Sequence, residues 1–422
     1  MNKNNKTFSF SSTSTTYSAS LPEANLLKIV EKTTDVPLCD CREQIIEELT
    51  SFSKTSALKE LVSSSQKVLI ICDDITRPTP TATILPVLVK LLESLGIDIT
   101  NQTILFANGS HRPMTEKEAF HKIGAELWGK IRWLNHDWQC ELQKIGTTAS
   151  GIPITINPLL LEYRCIIGIG SVFPHRYCGW SGGGKIIIPG VSGQETVSQT
   201  HWMPYYDKSI TLGSVGNAAQ NEILDAAEQS GLSFLIQCVC DGDGNLVDIF
   251  AGIPQSVHHA AIEKAKSIVA TKVPRSDVII AQAWPEESDL WQAGKALYAA
   301  ENVVRNGGHI IVVADLIEGV GPHKTFAKLI GSDEKNILTY RNRHDAVGLA
   351  AAAAYVTKAV QKKASISFVT NSIHLQEMSH LTGLKFYNNL QVAINDILEY
   401  NHKLTFSIIY EAPLMLPIPE GQ

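Results

Sequence analysis

The segment KVLIICDD, residues 67–74, predicts a buried strand that ends in two carboxylates. Residues 81–95 follow with apolar side chains at helical spacing, and TILFAN at 103–108 predicts a second strand. Thr115 and Glu118 then form a capping-box signature, which predicts the start of another helix. This alternation of strand and helix is typical of an α/β domain with a mainly parallel sheet.

The same alternation continues to the end of the chain. Further strands are predicted at 131–135, 165–171, 234–240, 276–283, 307–314 and 365–370, and further helices at 215–230 and 256–271. A chain of 422 residues is too long for one compact core. We therefore expect two α/β domains with mainly parallel sheets, over 1–271 and 272–422, with the last residues packing back on the first domain. We expect the active site in the cleft between these domains.

Composition narrows the class of protein. Hydrophobic residues make up 44% of the chain, and the net charge of −6 gives no electrostatic reason to expect nucleic acid as a partner. No apolar run approaches the roughly 18 residues that span a bilayer, and the polar N-terminus lacks the apolar centre of a secretion signal. Most cysteines lie in apolar, strand-like runs, which favours reduced thiols. We expect a cytoplasmic protein that binds neither nucleic acid nor membrane.

Polar side chains follow several predicted strands directly. Asp74 and Arg77 come after the first strand, His111 after the second, and His175 after the strand at 165–171. In parallel sheets the functional loops follow the carboxyl ends of the strands, so these residues are candidates for function. The arginine offers a planar fork for a carboxylate or a phosphate. Ordinary helix capping by Thr76, with a proline near the first helical position, fits the same segment.

The most informative loop is FPHRYCGWSGGGKIIIPGVSGQETVSQTH, residues 173–201. Three glycines precede Lys185, which indicates that another body lies flat against this backbone and makes the lysine a candidate tether or anion contact. His175 and His201 flank it as candidate acid/base or metal groups. The order G-x-x-x-x-G-K also approaches a phosphate-binding loop, and a nucleotide-binding ATPase or kinase is the alternative function. Against it, Ile186 stands where that motif needs a Ser or Thr hydroxyl.

In the second domain, Gln292 and Lys295 stand at i and i+3 on one helical face. The neighbouring Trp284 and Trp291 indicate a pocket, although a solvated helix edge fits the same spacing.

Taken in order, these motifs resemble those of the lactate racemase family. The matching motifs are D-x-T-R-P at 74–78, G-S-H-R at 109–112, P-H at 174–175, S-G-G-G-K at 181–185, P-G at 189–190, a histidine at 201 and Q-x-x-K at 292–295. The resemblance covers most of the chain, and its central block is long and specific.

The resemblance implies a nickel pincer nucleotide (nickel pyridinium-3,5-bisthiocarboxylic acid mononucleotide) bound by the domain at 1–271. Its nickel sits between two sulfurs and a ring carbon. By resemblance, Lys185 would hold this cofactor covalently through a thioamide bond, and His201 would supply the protein's ligand to nickel. Asp74 would support the cofactor or a catalytic partner.

The resemblance also implies the reaction, a racemase or epimerase activity that inverts C2 of a 2-hydroxy acid. Hydride transfer to the tethered ring avoids a dianion, and removal of the hydroxyl proton gives a 2-keto acid. Two enantiomers present their hydroxyls to different sides, so His111 and His175 would act as a pair of acid/base groups. Arg77, Gln292 and Lys295 would line the substrate site.

One departure concerns the substrate. Lactate racemases are expected to carry a tryptophan near the substrate in the second domain, and residues 341–362 contain none. Together with the small side chains at 350–354, this favours a 2-hydroxy acid larger than lactate, such as a sugar acid. Cofactor-biosynthesis enzymes would be needed for loading. A non-catalytic relative that only carries the cofactor is disfavoured, because both His111 and His175 are present.

Overall fold

The computed structural model describes residues 5–31, 41–63, 65–241 and 245–421. The strands in these ranges are β1 (Asn5–Ser11), β2 (Thr16–Pro22), β3 (Leu26–Val30), β4 (Val68–Asp73), β5 (Gln102–Ala107), β6 (Arg132–Asn135), β7 (Gln143–Thr147), β8 (Pro153–Ile156), β9 (Cys165–Ser171), β10 (Pro174–His175), β11 (Gly179–Trp180), β12 (Leu232–Cys240), β13 (Leu246–Gly252), β14 (Ala270–Val273), β15 (Ser276–Gln282), β16 (Val304–Val313), β17 (Ala364–Val369), β18 (Lys385–Tyr387), β19 (Phe406–Ile409) and β20 (Leu416–Pro419).

The α-helices in the same ranges are α1 (Cys41–Ser53), α2 (Ser56–Ser63), α3 (Thr81–Ser94), α4 (Glu116–Ile123), α5 (Gln194–Tyr206), α6 (Ala218–Gln229), α7 (Pro254–Val269), α8 (Leu290–Ala293), α9 (Lys295–Val303), α10 (Lys324–Ile330), α11 (Glu334–Thr339), α12 (Ala346–Lys363), α13 (Leu375–Thr382) and α14 (Leu390–Tyr400). None of the described helices is both long and apolar enough to cross a bilayer.

The chain divides into two compact units. The central unit comprises residues 34–268, and the terminal unit combines residues 1–33 with 269–422. The sequence placed a boundary at 271/272, close to the division at 268/269. It assigned the first residues to the N-terminal domain, whereas in the structure they belong with the C-terminal part. The reason is long-range strand pairing, because β3 pairs in parallel with β19.

The central unit is built on a six-stranded sheet in the order β13-β12-β9-β4-β5-β6. All neighbours are parallel except β12 and β13, which run antiparallel. Every residue of β4 is buried, as expected for an apolar strand in the middle of a parallel sheet covered on both faces. This confirms the prediction from residues 67–74 and places the carboxyl ends of β4, β5 and β9 side by side.

The terminal unit is built on a second six-stranded sheet, in the order β18-β17-β16-β15-β19-β3, and all of its pairs are parallel. The β1–β2 hairpin contributes Phe8, Phe10 and Leu21 to the core of this unit. Near the end of the chain, β20 pairs in parallel with β14. Two α/β units with mainly parallel sheets therefore confirm the predicted fold class.

Local signals at the helix ends were partly predictive. The capping box is present, because the Thr115 hydroxyl accepts a hydrogen bond from the Glu118 backbone while the Glu118 carboxylate accepts one from the Thr115 backbone. The expected cap by Thr76 is absent, since α3 begins only at Thr81 and the Thr76 hydroxyl donates to Asp74 instead.

Candidate functional site

A buried ion pair fixes the loop that follows β4. The Lys122 ammonium lies 3.1 Å from the Asp73 carboxylate and donates hydrogen bonds to the backbone oxygens of Arg77 (2.8 Å) and Thr79 (3.3 Å). Lys122 is only 3% exposed. Breaking a buried pair of this kind leaves an uncompensated charge, so the pair holds the loop in one conformation. The next residue, Asp74, is thereby set at a fixed place at the end of the strand.

Asp74 holds His111 in a defined orientation. Its Oδ2 lies 2.7 Å from His111 Nδ1, and its Oδ1 accepts hydrogen bonds from the Thr76 backbone and hydroxyl. Burial opposes ionisation of this carboxyl, but the charge and hydrogen bond of His111, the charge of Arg77 and the bond from Thr76 outweigh it. The pKa of Asp74 therefore lies well below its ordinary value. An ionised carboxylate can only accept, so the neutral imidazole carries its proton on Nδ1 and a lone pair on Nε2.

His175 is held in the opposite tautomer to His111. Its Nδ1 accepts a hydrogen bond from the backbone N–H of Tyr177 at 3.3 Å. A backbone N–H only donates, so the neutral imidazole of His175 carries its proton on Nε2. In their neutral forms His111 and His175 are thus set in complementary tautomers, with a lone pair on Nε2 of His111 and a proton on Nε2 of His175.

The glycines before Lys185 have a different role from the one predicted. A Cβ on Gly182 would lie 2.5 Å from Gln237, one on Gly183 would lie 2.6 Å from the His258 ring, and one on Gly184 would lie 2.6 Å from the Ile223 carbonyl. The bodies that lie against this backbone are therefore β12, α7 and α6 of the protein itself. The prediction that the glycines clear space for a ligand is wrong at these three positions.

Hydrogen bonds from β12 also hold the loop that carries Lys185. Gly183 donates its backbone N–H to Gln237 Oε1 at 2.7 Å, and Gln237 Nε2 donates to the Gly170 carbonyl at 3.0 Å. His258 Nδ1 lies 3.3 Å from the same Gln237 oxygen. Burial, with further contributions from the charges of His259 and Lys185, lowers the pKa of His258 to about 4. A neutral imidazole and an amide therefore support the lysine loop from inside the core.

The apolar run after Lys185 packs into the core of the central unit. Ile186, Ile187 and Ile188 are buried, and a Cβ on Gly168 of β9 would lie 2.9 Å from the Ile186 side chain. The segment Gly183–Ile186 forms a short 3₁₀ helix, and the next α-helix begins only at Gln194. A phosphate-binding loop would need a hydroxyl and a helix N-terminus directly after its lysine. The geometry therefore does not favour the nucleotide-binding alternative.

Lys185 itself is half-buried and has a small set of charged or titratable neighbours. Burial lowers the pKa of its amine below the ordinary value, and the charge of Arg77 adds to this; the contact with the Cys178 sulfur acts in the opposite direction. A lowered pKa increases the fraction of neutral amine, which is the nucleophilic form of a lysine. The environment therefore suits a lysine that reacts with an electrophile.

A hydrogen bond within its own helix fixes the orientation of His201. It lies on α5, and its Nδ1 donates to the Val197 carbonyl at 2.7 Å. Metal-binding histidines commonly fix one ring nitrogen in this way, which leaves the lone pair on Nε2 for the metal. The Tyr177 ring lies between the rings of His201 and His175, at centroid distances of 4.8 and 5.7 Å. Within the described ranges, no group of three or more His, Cys, Asp or Glu side chains is placed to hold a metal.

The predicted pair of Gln292 and Lys295 lies in the terminal unit. The Lys295 ammonium donates to Gln292 Oε1 and to Glu286 Oε2, both at 2.6 Å. The sequence placed both residues on one helical face, whereas in the structure α8 ends at Ala293 and α9 begins at Lys295. The two side chains are nevertheless in contact, and the partner Glu286 was not predicted. Glu286 balances the charge of Lys295, so the electrostatic attraction that this lysine offers to an anion is weaker than the sequence suggested.

The alanines at 350–354 do not line an open space. All five are buried in α12, at 3% exposure or less. Tight helix packing was one of the predicted roles of this run, and the structure confirms it. The second use of these residues, as evidence for a larger substrate pocket, is wrong.

Several side chains in these arrangements were not predicted. They are Lys122, Tyr177, Cys178, Gln237, His258 and Glu286. Lys122, Gln237 and His258 lie on a helix or strand far from the motifs in sequence, and no local pattern distinguishes them from ordinary core or helix residues. Tyr177 and Cys178 lie inside the motif loop, where their position alone was the available signal.

Comparisons with known proteins agree with the geometry. The sequence model of the lactate racemase N-terminal domain matches residues 13–213. The lactate racemase of Lactiplantibacillus plantarum is 28% identical over 299 residues, which is 69% of this chain and 70% of that protein. The lactate racemase of Thermoanaerobacterium thermosaccharolyticum is 28% identical over 273 residues, 63% of this chain and 64% of that protein.

The fold is shared with solved structures. The lactate racemase apoprotein from Thermoanaerobacterium thermosaccharolyticum superposes with a TM-score of 0.86 at 22% identity, covering 98% of this chain and all of that chain. A protein from Thermotoga maritima superposes with a TM-score of 0.74 at 21% identity, covering 90% and 98% of the two chains. The chain therefore carries a match to the lactate racemase N-terminal domain over residues 13–213 and is similar in sequence to two lactate racemases, which are isomerases.

Proposed function

We propose that the protein is a racemase or epimerase that inverts C2 of a 2-hydroxy acid. The observation that carries this proposal is the pair of histidines set in complementary tautomers, with His111 held by Asp74 and His175 held by the Tyr177 backbone. A reaction that moves a hydroxyl proton on and off in two directions needs two such groups. The similarity to lactate racemases supports the same reaction class.

The residues present fit a nickel pincer nucleotide held by Lys185. The amine is half-buried and has a lowered pKa, as a nucleophile that forms a covalent bond requires. The imidazole of His201 is held in one tautomer, and this cofactor takes a single nickel ligand from the protein. What such a group supplies, when bound, is an acceptor for the hydrogen at C2 together with its electron pair. The thioamide bond to Lys185 and the ligand role of His201 are part of this proposal.

In the acid/base step, the hydroxyl proton of one enantiomer passes to Nε2 of His111, and the Asp74 carboxylate stabilises the imidazolium that forms. Loss of that proton together with the C2 hydrogen leaves a 2-keto acid. When the hydrogen returns to the opposite face, the new hydroxyl oxygen takes its proton from Nε2 of His175 in its imidazolium form, which is left as a neutral imidazole. The reverse direction exchanges the two roles.

Arg77 is the stronger candidate to bind the substrate carboxylate. Its guanidinium lies close enough to Asp74 and Lys185 to influence the pKa of both groups. A guanidinium presents two parallel N–H donors to a carboxylate, which sets the orientation of the acid. We assign Gln292 and Lys295 to substrate binding as well, with Lys295 acting mainly as a hydrogen-bond donor because Glu286 balances its charge.

We propose a substrate larger than lactate, such as an aldonate. Because the alanines at 350–354 are buried, this part of the proposal depends only on the absence of a tryptophan from residues 341–362. Enzymes that build the cofactor in the same cell would supply it to this protein.

The test begins with the protein made in a host that produces the cofactor. Wild-type protein should show an added mass and bound nickel, Lys185→Ala should lose the added mass, and Lys208→Ala, which changes an exposed lysine of the same unit, should keep it. Loaded enzyme is then incubated in D₂O with lactate, malate, phenyllactate and several aldonates. Inversion at C2 with little deuterium at that carbon is expected, because the hydrogen moves as hydride. Extensive exchange with solvent, or no inversion of any acid, would contradict the proposal.

A further inference from the structure

Asn217 lies at the junction of two elements that carry the candidate site. It immediately precedes α6 and is only 7% exposed, and its Oδ1 accepts a hydrogen bond from the Gln220 backbone at 3.0 Å. Its Nδ2 donates to the Cys178 carbonyl and to the Ser214 hydroxyl, both at 3.0 Å. A backbone N–H must donate and a backbone carbonyl must accept, so only this orientation of the amide satisfies its partners. The side chain is therefore fixed at both the oxygen and the nitrogen.

The amide nitrogen acts on the hairpin that carries His175. In this β10–β11 hairpin, Gly179 is the cross-strand partner of His175, and its carbonyl accepts the Gly213 N–H at 2.9 Å. Gly179 has a φ of +83°, and a Cβ there would overlap the Ser214 carbonyl oxygen and lie 2.9 Å from Asn217 Nδ2. The segment 213–217 is therefore packed directly against the strand that pairs with His175, with no space for a side chain between them.

The amide oxygen acts on the helix that supports the Lys185 loop. A side-chain oxygen at this position satisfies one of the N–H groups that the first helical turn leaves without a partner, and it stabilises the start of the helix. A Cβ on Gly184, the residue before Lys185, would lie 2.6 Å from the Ile223 carbonyl oxygen. Ile223 lies within the first two turns of α6. Fraying of these turns would therefore remove the surface on which the lysine loop rests.

We propose that Asn217 is a positioning residue that places His175 through its amide nitrogen and the Lys185 loop through its amide oxygen, an inference that rests on the proposed function. It acts through the Cys178 carbonyl and through the start of α6. A substitution that keeps a capping oxygen but removes the amino group should therefore disturb His175 and leave the lysine loop in place. Removal of the whole amide should disturb both.

The first test uses protein without cofactor. Asn217→Ser and Asn217→Asp both keep a capping oxygen, and both lack the amino group that reaches the Cys178 carbonyl. The Tyr177 amide, which donates to His175 Nδ1, should exchange with solvent up to about 10-fold faster in these variants. The nitrogen-15 shifts of the His175 ring should move from one tautomer toward a mixture of two. Asn389→Ser makes the same change at the N-cap of α14 and should alter neither signal.

A glycine substitution tests the same junction with Asn217 intact. Gly179→Ala would place a Cβ onto the Ser214 carbonyl oxygen, so the hairpin has to move, and the same changes in exchange and tautomer are expected. Gly216→Ala is the matched control, because Gly216 also has a positive φ but a Cβ there would meet no atom within 4 Å. Circular dichroism and thermal unfolding of each variant exclude a loss of fold.

The loaded enzyme separates the two effects of the amide. Asn217→Ser and Asn217→Asp should carry as much attached cofactor as wild type. Their kcat should fall by about 10-fold because the acid/base group is misplaced, while KM should change by less than about twofold because Arg77 stays in place. Asn217→Ala also lacks the cap, and cofactor should attach to Lys185 several-fold more slowly in this variant.

The outcomes distinguish this inference from the proposed function. An unchanged Tyr177 amide and an unchanged His175 tautomer in Asn217→Ser, Asn217→Asp and Gly179→Ala would overturn the positioning role. If these changes occur but the wild-type protein neither takes up cofactor nor inverts any acid, the proposed function fails while the role of Asn217 in placing the hairpin stands.

Discussion

Replacing Asp74 with asparagine tests the central feature of the site, because it changes charge and hydrogen-bond sense with little change in shape. In the wild type, Asp74 Oδ2 accepts the Nδ1 proton of His111 at 2.7 Å, while Oδ1 is occupied by Thr76. In Asp74→Asn the Thr76 bonds keep the oxygen at Oδ1, so the amide NH₂ takes the place of Oδ2. That group can only donate to Nδ1. The His111 proton is then forced to Nε2, and the nitrogen that should accept the hydroxyl proton is blocked.

The size of the effect follows from two contributions. General acid/base catalysis by a positioned side chain is worth on the order of 10²–10⁴-fold, and the variant should lose most of it. A hydrogen bond to a charged group contributes about 1.5–3 kcal/mol to stability, and part of that remains because the amide still bonds to Thr76 and to the imidazole. We therefore expect a folded protein, destabilised by about 1–2 kcal/mol, whose turnover falls by at least about 100-fold.

The assay combines kinetics with a direct measurement of the tautomer. Nitrogen-15 shifts of the imidazole distinguish a proton on Nδ1 from one on Nε2, and they should change for His111 in Asp74→Asn. Thr76→Val is the matched control, because it removes a hydrogen bond from Oδ1 and leaves the contact between Oδ2 and His111 in place. Activity within about threefold of wild type, combined with an unchanged His111 tautomer, would refute the role of Asp74.

The remaining predictions concern the other histidines. His201→Ala should lower the nickel content, measured by elemental analysis, much more than it changes the melting temperature, and full retention of nickel would remove it from the metal role. His111→Ala and His175→Ala should each lower racemisation in both directions by on the order of 10²–10⁴-fold, and a variant with near-normal turnover would mark a loop histidine without catalytic function. His258 takes up a proton near pH 6.5 when unfolded but only near pH 4 when folded, so its contribution to stability falls as the pH drops from 6.5 to 4. His258→Gln should reduce that slope by up to about 1.4 kcal/mol per pH unit in denaturant titrations, and the exposed neighbour variant His259→Gln should not.

The fold was predictable where the signals are local. The apolar run at 67–74, the helical spacing after Thr81 and the capping box at Thr115 each indicated an element that the structure contains. The placement of residues 1–33 was not predictable, because it depends on β3 pairing with a strand that lies almost 400 residues later in the chain. No local sequence pattern around β3 indicates a pairing partner so far along the chain.

The site was predictable to a similar extent. Strand-end position singled out Asp74, His111 and His175, and the structure places the first two in direct contact. The glycines before Lys185 show why the rest was missed. Glycine in sequence reports that something approaches the backbone closely, but it does not say what, and here the approaching atoms belong to Gln237 and His258.

The unequal support of the two histidines has a kinetic consequence. His111 is held by a buried carboxylate at 2.7 Å, whereas His175 is held by one backbone N–H at 3.3 Å, so their neutral forms carry the proton on different nitrogens. An enzyme cannot alter the equilibrium between two enantiomers, and the ratio of kcat/KM in the two directions is therefore the same in every variant. The difference between the histidines must appear in kcat and KM separately. The enantiomer whose hydroxyl faces His111 meets a base that is already in its accepting tautomer, while the other requires His175 to give up its Nε2 proton first. We expect the former direction to have the higher kcat and the higher KM, with equal kcat/KM for a racemised pair, and identical kcat values in both directions would contradict this assignment.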